Sequence, residues 1–484
     1  MTPRHATLPA LPALLLALLA GLASPRTPAA DATARPFEAV AREYVAAALG
    51  SNLSLQSQDL EVERSLAALD AARARYFPEF ALNARYTRAE GGRQIEFPIG
   101  ALLNPAYQTL NQLLAAQGQP PRFPTITDQA FAFQRSHEQD TRVTLRQPLY
   151  QPAIPAAVAA QRELLGSQQY ARLALARQLQ RDVVVGYAGY LKAQRAASIV
   201  RSAGALLDEN LRVTDSLFRN GRITQDQVLR ARAERLASTQ QQREAEGAIS
   251  QARSYVNFLL NRRLDSPLED ATPPDDAAAV AIETGTARED ALRQRSELSQ
   301  LDALGRAADA QQRAARAALK PQLALGIDAG TQGEQYRLGS GYNFIAASLV
   351  LSWKFFDGGA NRAEVAESRI AARNARLKRD DAAQQVQLEV QQAVDRLDTA
   401  RDSLATARAR DEAAAAAFRI ASRKRDEGAI NQVEFIDARN TLTAAQLNLN
   451  LTRFDLIERR ADLDHATGNG ELPVPRVDLQ GIPP

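Results

Sequence analysis

The sequence predicts a mainly α-helical fold with a small β part, built twice on one plan of helix, strand, strand, long helix and helix. Three observations support this prediction. The two halves of the chain resemble each other, four short segments alternate apolar and polar residues, and two helical patterns of about 65 residues contain no interior proline. An internal repeat of this size is half of a protein and not the unit of a solenoid.

The repeat is visible in three pairs of matching segments. The pairs are residues 74–82 with 317–325, residues 143–150 with 349–356, and the glycine-centred turns at Gly221 and Gly428. The offset between the halves is 243 residues for the first pair and 206 for the second. The first half therefore carries about 37 extra residues between Arg88 and Gln139, which we expect to form an enlarged loop.

Residues 1–32 are predicted to be a secretory signal. Arg4 supplies the positive charge, and residues 11–22 form an apolar run with the length of a signal-peptide core, which is too short to span a membrane. A short buried helix is the alternative. Because the chain contains no Cys, it can carry neither disulfides nor a lipidated N-terminal cysteine.

Composition excludes several classes of function. Without Cys there is no thiolate zinc site or catalytic cysteine, and three His leave little for metal or proton chemistry. We expect His137 and His465 to be surface residues. The 59 Lys and Arg are interspersed with 56 Asp and Glu, which indicates no basic stripe for nucleic acid. We therefore predict no catalytic residue, no metal site and no cofactor.

Four segments alternate apolar and polar residues with a period of two, which is typical of strands with one apolar face. They are predicted at about 79–88, 141–150, 321–331 and 343–356. Segments of roughly 10 residues have the length and pattern of outer-membrane barrel strands, although an ordinary sheet covered by helices would show the same alternation. Pro78 and Pro321 end the helices that precede the first strand of each half.

Each second strand is followed by a long helical pattern, at 155–220 and 360–427. At 1.5 Å per residue such a helix is a rod of about 100 Å, which cannot fold back into a compact domain. Its apolar seam follows the heptad spacing of helices that pack lengthwise. The seam residues are Val386, Val390, Ala393, Leu397, Ala400, Leu404 and Ala407 in the second half and Leu179, Val183, Gly186, Tyr190, Ala193 and Ala197 in the first.

Each long helix is predicted to end in a tight turn, at 220–224 and 427–431, where Gly221 and Gly428 suit a left-handed C-cap. The return helices would begin with capping boxes, formed by Thr224 with Gln227 and by Asn431 with Glu434. The two repeats are therefore placed at 33–262 and 289–466, with a proline-containing linker at 263–288 and a loosely held tail at 467–484.

The number of strands constrains the assembly. Four strands cannot close a barrel, and unpaired strand edges are not tolerated in lipid. Known single-chain barrels have at least about eight strands. Three copies would supply twelve strands, with the helical rods gathered below them into a tube, and an assembly of this shape is a conduit.

The order, duplication and spacing of these motifs resemble those of the TolC-type outer-membrane efflux proteins, the outer membrane factor family. The resemblance is carried by residues 147–150, 228–229, 353–359 and 435–438 together with the two turns. It implies a homotrimer with a 12-stranded β-barrel in the outer membrane of a Gram-negative bacterium and a long α-helical barrel in the periplasm. The implied function is the exit duct of a tripartite efflux pump or a type I secretion system.

The resemblance also implies partners. These are a periplasmic adaptor (membrane fusion) protein, an inner-membrane transporter of the RND, ABC or MFS class, and the lipid of the outer membrane. The alternative from a different class is a periplasmic coiled-coil adaptor or scaffold protein. An adaptor has one helical hairpin flanked by β-rich domains, so two equal hairpins and strands that end in aromatic residues favour the duct.

On this resemblance the two turns form the periplasmic tip, and the predicted adaptor contacts are Gly221, Ile223, Thr224, Gly428, Ile430 and Asn431. Helix capping alone is the alternative role of these residues. Ile430 stands where the family has a basic residue, so closure of the tip would rest on other contacts than the family's salt bridge.

Glu434 and Asp437 match the acidic constriction of the family near the tip, and Asp226 lies in the equivalent first turn of the first half, one position away from strict equivalence. Threefold symmetry would turn them into rings of carboxylates, which favour cations. Acids that complement the dipole of a helix N-terminus are the alternative.

Four aromatic residues lie where the second strands meet the long helices, namely Tyr150, Trp353, Phe355 and Phe356. Aromatic side chains concentrate where a membrane meets water, so these four predict a belt at the periplasmic interface. Simple packing at the junction of strand and helix is the alternative.

Overall fold

The structure, a computed structural model, describes residues 35–133, 135–274, 283–470 and 472 of the 484-residue chain. The predicted signal at 1–32 lies outside the described residues, as do most of the predicted tail and residues 275–282 of the predicted linker.

The elements are numbered in chain order. The first half contains β1 (Arg35–Pro36), α1 (Phe37–Ser51), α2 (Leu53–Ala74), β2 (Glu79–Arg88), β3 (Gln94–Phe97), α3 (Ile99–Ala116), β4 (Gln129–Ala132), β5 (His137–Tyr150), α4 (Ala153–Arg219) and α5 (Gln225–Leu259). The chain continues with β6 (Ala271–Thr272), α6 (Thr284–Gln294), α7 (Ser296–Ala317), β7 (Gln322–Gly333), β8 (Asn343–Ser352), α8 (Ala360–Asp426) and α9 (Gln432–Thr467). This content confirms the predicted mainly α-helical fold with a small β part.

The helices form two long hairpins. Helices α4 and α8 have 67 residues each, and α5 and α9 return along them with 35 and 36 residues. Helix α2 packs along α4, and α7 packs along both α4 and α8, so the shorter helices extend the cover that α5 and α9 provide. Among the described residues, no helix combines the length and the apolar composition that crossing a bilayer requires.

The heptad seam of the long helices is confirmed. All seven seam residues predicted in α8 are buried, and in α4 only Ala193 of the six is half-buried. Small seam residues bring backbones close together. A Cβ added to Gly186 would lie 3.2 Å from the ring of Tyr255 on α5, so a larger residue there would require the Tyr255 ring to move.

The largest buried cluster surrounds Tyr187 of α4. Its ring stacks on Phe37 with 5.4 Å between centroids, and Tyr44 meets it edge-on at 5.1 Å. The Tyr187 hydroxyl donates to the carbonyl oxygen of Glu269 at 3.0 Å. Helix α1 was not among the predicted elements. It packs on α4 in this cluster together with the segment that follows α5, and the parallel pairing of β1 with β6 joins α1 to that segment.

The second repeat begins earlier than the predicted boundary at residue 289. Helix α6 starts at Thr284, and its residues Ala287 and Ala291 are buried against the seam of α8. The two alanines give this segment only a narrow apolar stripe, so its composition resembles that of a linker. The contact with α8 stabilises the segment as a helix.

The four long strands form one antiparallel sheet in the order β2–β5–β7–β8, so a strand of the first half pairs with a strand of the second. Phe80 lies opposite Leu145, and Ile327 lies opposite Ala347, which sets apolar residues on one face. Strands β2 and β8 are the two edges of this sheet, and the described residues supply no partner for either outer side.

The fourth strand is shorter than the predicted segment 343–356, because β8 ends at Ser352. Ser352 pairs with Gln322, the first residue of β7, and the preceding Pro321 has no N–H to extend the ladder. The chain then leaves the sheet, and the Trp353 indole N–H donates to the carbonyl oxygen of Leu319 at 3.1 Å. The second and third strands extend beyond the predicted segments 141–150 and 321–331.

Arg295 lies buried where α6 meets α7. Its guanidinium bonds the carboxylates of Glu297 at 3.0 Å and of Glu389 on α8 at 2.9 Å, and it also bonds the carbonyl oxygen of Ala466 near the end of α9 at 3.1 Å. Burial raises the pKa of the Glu297 carboxyl, but the hydrogen bond and charge of Arg295 outweigh burial and lower this pKa below its usual value. One side chain therefore holds three helices together.

Replacing Arg295 tests this junction. We expect Arg295→Met to lower the free energy of unfolding by about 1–3 kcal/mol, the range for hydrogen bonds to charged groups. Because the folded protein lowers the pKa of Glu297, ionised Glu297 stabilises the fold at neutral pH and loses this effect as the pH falls through its pKa. The variant should therefore lose less stability than the wild type between neutral and acidic pH.

The measurement is thermal unfolding of the detergent-purified protein, followed by circular dichroism at neutral pH and at about pH 3, below the usual carboxyl pKa. Arg293→Met is the matched control, since Arg293 is an exposed arginine in the last turn of α6, two residues before Arg295, and pairs with Asp290. Equal pH dependence in both variants would contradict the role of Arg295.

A second test concerns the close approach of β5 and β7. A Cβ added to Gly330 would collide with the backbone oxygen of Thr141 and lie 2.6 Å from the Cα of Arg142, whereas one added to Gly326 would lie 3.8 Å from its nearest neighbour. We expect Gly330→Ala to destabilise the sheet by about 1–3 kcal/mol through overpacking and Gly326→Ala to be nearly neutral. Thermal unfolding of the two variants checks this, and similar midpoints would contradict it.

Candidate functional site at the hairpin tips and the sheet

The two long helices end in the same backbone motif. Gly221 and Gly428 follow them with φ of 67° and 72°, the left-handed region that favours glycine. At the first turn the N–H groups of Gly221 and Arg222 donate to the carbonyl oxygens of Phe218 and Leu217, both at 2.9 Å. The second turn repeats this between Gly428 and Arg425 and between Ala429 and Lys424, at 2.9 and 2.7 Å. Both turns are Schellman motifs, which reverse the chain within five residues.

The return helices differ in their N-caps. The Asn431 side chain accepts from the Glu434 N–H at 2.9 Å and donates to the Glu434 carboxylate at 3.0 Å. Thr224 makes no side-chain cap, so the predicted capping box of Thr224 with Gln227 is wrong. At this position the Gln227 N–H bonds the backbone oxygen of Thr224 at 3.3 Å, which satisfies the donor that the hydroxyl was expected to cap.

Four of the six predicted adaptor contacts are exposed at the turns, namely Gly221, Thr224, Gly428 and Asn431. Ile223 and Ile430 are half-buried. The second turn is supported from within by Phe435, whose ring packs on Phe418 at 5.6 Å and lies 4.1 Å below the Arg425 guanidinium. The turns therefore present glycine backbone together with the exposed side chains of Thr224 and Asn431.

The predicted acids lie on the outer surface of the return helices. Glu434 and Asp437 are exposed and share one face of α9, whereas Phe435 and Ile436 between them are buried. Asp226 is exposed in the first turn of α5, in the other hairpin. A single chain thus brings Glu434 and Asp437 onto one surface, next to the second turn.

Arg439 of α9 was not predicted and is buried where the two hairpins meet. It donates to the carbonyl oxygen of Ala203 on α4 at 3.2 Å, and burial lowers the pKa of its guanidinium although the charge of Glu234 opposes this. The matching Arg232 of the first half is exposed, so the repeat gave no signal for this contact. Gln432 supports the same junction through a 3.4 Å bond to the Thr214 hydroxyl.

The two faces of the sheet differ in chemistry. The apolar face carries Phe80, Leu82, Tyr86, Val143, Ile345, Leu349 and Leu351, all exposed in the single chain. Leu82 is 72% and Ile345 is 77% accessible. An exposed apolar surface of this extent marks a region that contacts another apolar phase or partner.

The opposite face holds a network of charges that the sequence analysis did not single out. Asp140 of β5 is buried between Arg142, with which it forms an ion pair, and Arg85 of β2 at 3.6 Å. The Thr144 hydroxyl donates to Asp328 of β7 at 2.6 Å. These residues occupy the polar positions of the alternating strands, so the alternation in the sequence could have predicted that they share one face.

The four predicted aromatic residues are all exposed at the end of the sheet where β5 and β8 lead into α4 and α8. Trp353 and Phe355 contact each other edge-on with 6.3 Å between centroids. Phe355 and Phe356 are 84% and 82% accessible, so packing within the chain does not account for them. Within the described residues, no group of three or more His, Cys, Asp or Glu is arranged to hold a metal ion.

A family model matches the second half of the chain, and solved structures match its fold. Residues 287–469 match the family model of the outer membrane efflux proteins, a family of channels and not of enzymes. No curated protein matches the sequence at a significant level.

Solved structures of outer-membrane channels share the fold. The CmeC channel of Campylobacter jejuni superposes with a TM-score of 0.75 and 16% identity, covering 91% of this chain and 88% of that one. The outer-membrane channel OprN gives 0.73 and 19%, with 90% and 91% covered, and VceC of Vibrio cholerae gives 0.71 and 16%, with 89% and 97% covered. The predicted resemblance to outer-membrane efflux proteins is therefore confirmed.

The tip glycines offer a direct test of the turn geometry. Gly221→Ala and Gly428→Ala should each destabilise the protein by about 1–2 kcal/mol, because an L side chain is strained in the left-handed region. Gly247→Ala is the control, since Gly247 lies exposed inside α5 with nothing near an added Cβ, and should stabilise by about 0.5–1 kcal/mol. Thermal unfolding by circular dichroism distinguishes the opposite signs, and a neutral Gly428→Ala would argue against the motif.

Proposed function

We propose that this chain, which carries an outer membrane efflux protein domain on the fold of outer-membrane channels, is the exit duct of an export system in a Gram-negative bacterium. The observation that carries the proposal is the sheet. It has an apolar face, a charged face and two edges for which the described residues supply no partner, and it continues into hairpins about 100 Å long.

The open sheet explains why the duct is a homotrimer. In hydrocarbon, every backbone N–H and C=O needs a partner, so the edge of β2 must pair with the β8 edge of a neighbouring copy. Three copies close a barrel of twelve strands with the apolar faces towards lipid and the charged faces, with Asp140, Arg142 and Asp328, towards the lumen. The aromatic residues at the strand ends then lie at the periplasmic interface of the outer membrane.

The hairpins extend this barrel through the periplasm. Because α4 and α8 continue directly from β5 and β8, gathering the strands around an axis also gathers the rods into an α-helical barrel. The paired turns at the far end meet a periplasmic adaptor protein. The inner-membrane transporter of the RND, ABC or MFS class delivers the substrate, and the duct conducts it passively in a tripartite efflux pump or a type I secretion system.

The acids beside the second turn act at the narrow end of the duct. Around a threefold axis, the exposed carboxylates of Glu434 and Asp437 form two rings one turn apart, and Asp226 adds a third from the other hairpin. Rings of carboxylates in a constriction favour cations. The duct should therefore select cations at its periplasmic end.

Single-channel recording in planar bilayers tests the duct and its acidic rings. Wild-type protein should give a small, cation-selective conductance. Glu434→Gln with Asp437→Asn keeps the side-chain shapes and removes the charge, so we expect the preference for K⁺ over Cl⁻ to fall towards unity. Asp395→Asn with Asp398→Asn is the matched control, since it removes two exposed carboxylates at the same spacing from the middle of α8.

The outcomes test the proposed channel and the proposed role of its acidic rings separately. Unchanged selectivity in the double variant would indicate that Glu434 and Asp437 only complement the dipole of the α9 N-terminus. It would not contradict the proposed channel. A folded wild-type protein that forms no channel and fractionates without detergent would exclude the duct and favour a periplasmic coiled-coil adaptor or scaffold.

A further inference from the structure

The extra residues of the first half fold into an ordered insert between β2 and β5, here defined as residues 89–133. The insert consists of the two-stranded ribbon β3–β4 with helix α3 between its strands. Phe97 and Phe131 of the ribbon contact each other edge-on with 5.7 Å between centroids. The insert thus has a fixed shape that positions α3 beyond the end of the sheet opposite the hairpins.

One face of α3 is anchored to the extended chain that follows it. Asn104 donates to the carbonyl oxygen of Ile126 at 2.7 Å and accepts from the Ile126 N–H at 2.8 Å. Two turns later, Asn111 donates to the carbonyl oxygen of Phe123 at 2.7 Å and accepts from its N–H at 3.1 Å. These paired bonds fix the rotation of α3 about its axis, and therefore which face remains free.

The free face of α3 carries an apolar stripe. Its residues are Ile99, Leu102, Ala106, Leu110 and Leu113, all exposed, and Leu102 is 79% accessible. Their spacing of three, four, four and three residues keeps them in line along one side of the helix. This is the pattern of a helix that packs lengthwise on another surface, and no element among the described residues covers it.

The charge of the insert indicates which surface this is. No Lys, Arg, Asp or Glu occurs from Phe97 to Pro121. A helix that lies on a membrane surface carries Lys and Arg on its polar face to meet anionic lipid headgroups, and α3 has none. A stripe of large apolar side chains is equally unsuited to remain in water. A protein surface of matching apolar character is therefore what remains to cover the stripe of α3.

The insert is continuous with the edge strand that needs a partner. It begins directly after Arg88, where β2 ends, and β2 is the edge that a neighbouring copy must complete in the proposed trimer. The neighbour's sheet therefore lies beside the base of the insert. We propose that the apolar stripe of α3 is a contact surface for a second copy of this chain, which extends the subunit interface beyond the barrel on the outer side.

This inference rests on the proposed trimeric duct, and its test separates the two. The chain contains no Cys, so a single introduced cysteine is the only site for a maleimide label. Leu102→Cys and Leu113→Cys, labelled with benzophenone maleimide and irradiated, should give covalent dimers and trimers in denaturing gels. Gln108→Cys and Gln112→Cys are the matched controls, because both are exposed on the opposite side of α3, and they should give several-fold less cross-linked protein.

The native mass of the unlabelled protein in detergent is measured in parallel. A trimer in which the Leu102 label reacts only with lipid or solvent would overturn the contact and leave the proposed duct in place. A trimer with equal cross-linking from both sides of α3 would also overturn it, since the stripe would then be no special surface. A monomeric protein would overturn the contact together with the trimer on which it rests. Circular dichroism of each variant confirms folding before labelling.

Discussion

The outer edges of β2 and β8, to which no described strand pairs, are the constraint on which the rest of the structure depends. Each presents a row of N–H and C=O groups that water can solvate and hydrocarbon cannot. The sheet is apolar on one face, and in the proposed trimer this face meets hydrocarbon while other copies complete the two edges. Because α4 and α8 continue from β5 and β8, the helices must follow wherever the strands assemble. Pairing of two strand edges thus sets the position of rods that extend about 100 Å away.

Within one chain, the rods are held by narrow contacts repeated many times. The seam is rich in alanine and glycine, which gain little from burial individually but let helices lie close together over their whole length. Larger contacts are concentrated at two places, the Tyr187 cluster and the Arg295 junction, where the chain crosses between halves. The two halves are therefore fastened near the middle of the rods, and they also meet at both ends, through Arg439 and Gln432 towards the turns and through the pairing of β5 with β7 in the sheet.

Much of this architecture followed from local patterns. The heptad seam and the glycine turns were predictable because each depends on residues within one or two helical turns. The end of β8 at Ser352 was not, since it depends on where its partner strand begins. Thr224 and Asn431 looked equivalent as caps, but only Asn431 has the reach and the Glu434 partner to close the turn. The roles of Asp140, Arg295 and Arg439 were missed because each also contacts a group on another element, namely Arg85, Glu389 and the Ala203 carbonyl, which no local pattern indicates.

The equal lengths of α4 and α8 have a consequence for how such a protein can change over evolution. Both helices have 67 residues and end in the same Schellman turn, so the two hairpins of a chain finish level. A heptad inserted into one of them preserves its seam but lowers its turn by about 10 Å relative to the other. In the proposed trimer, where the hairpins of the two halves alternate around the axis, that change makes the rim uneven. In such an assembly changes in rod length are expected as matched events in both halves, so the internal duplication also restricts later variation.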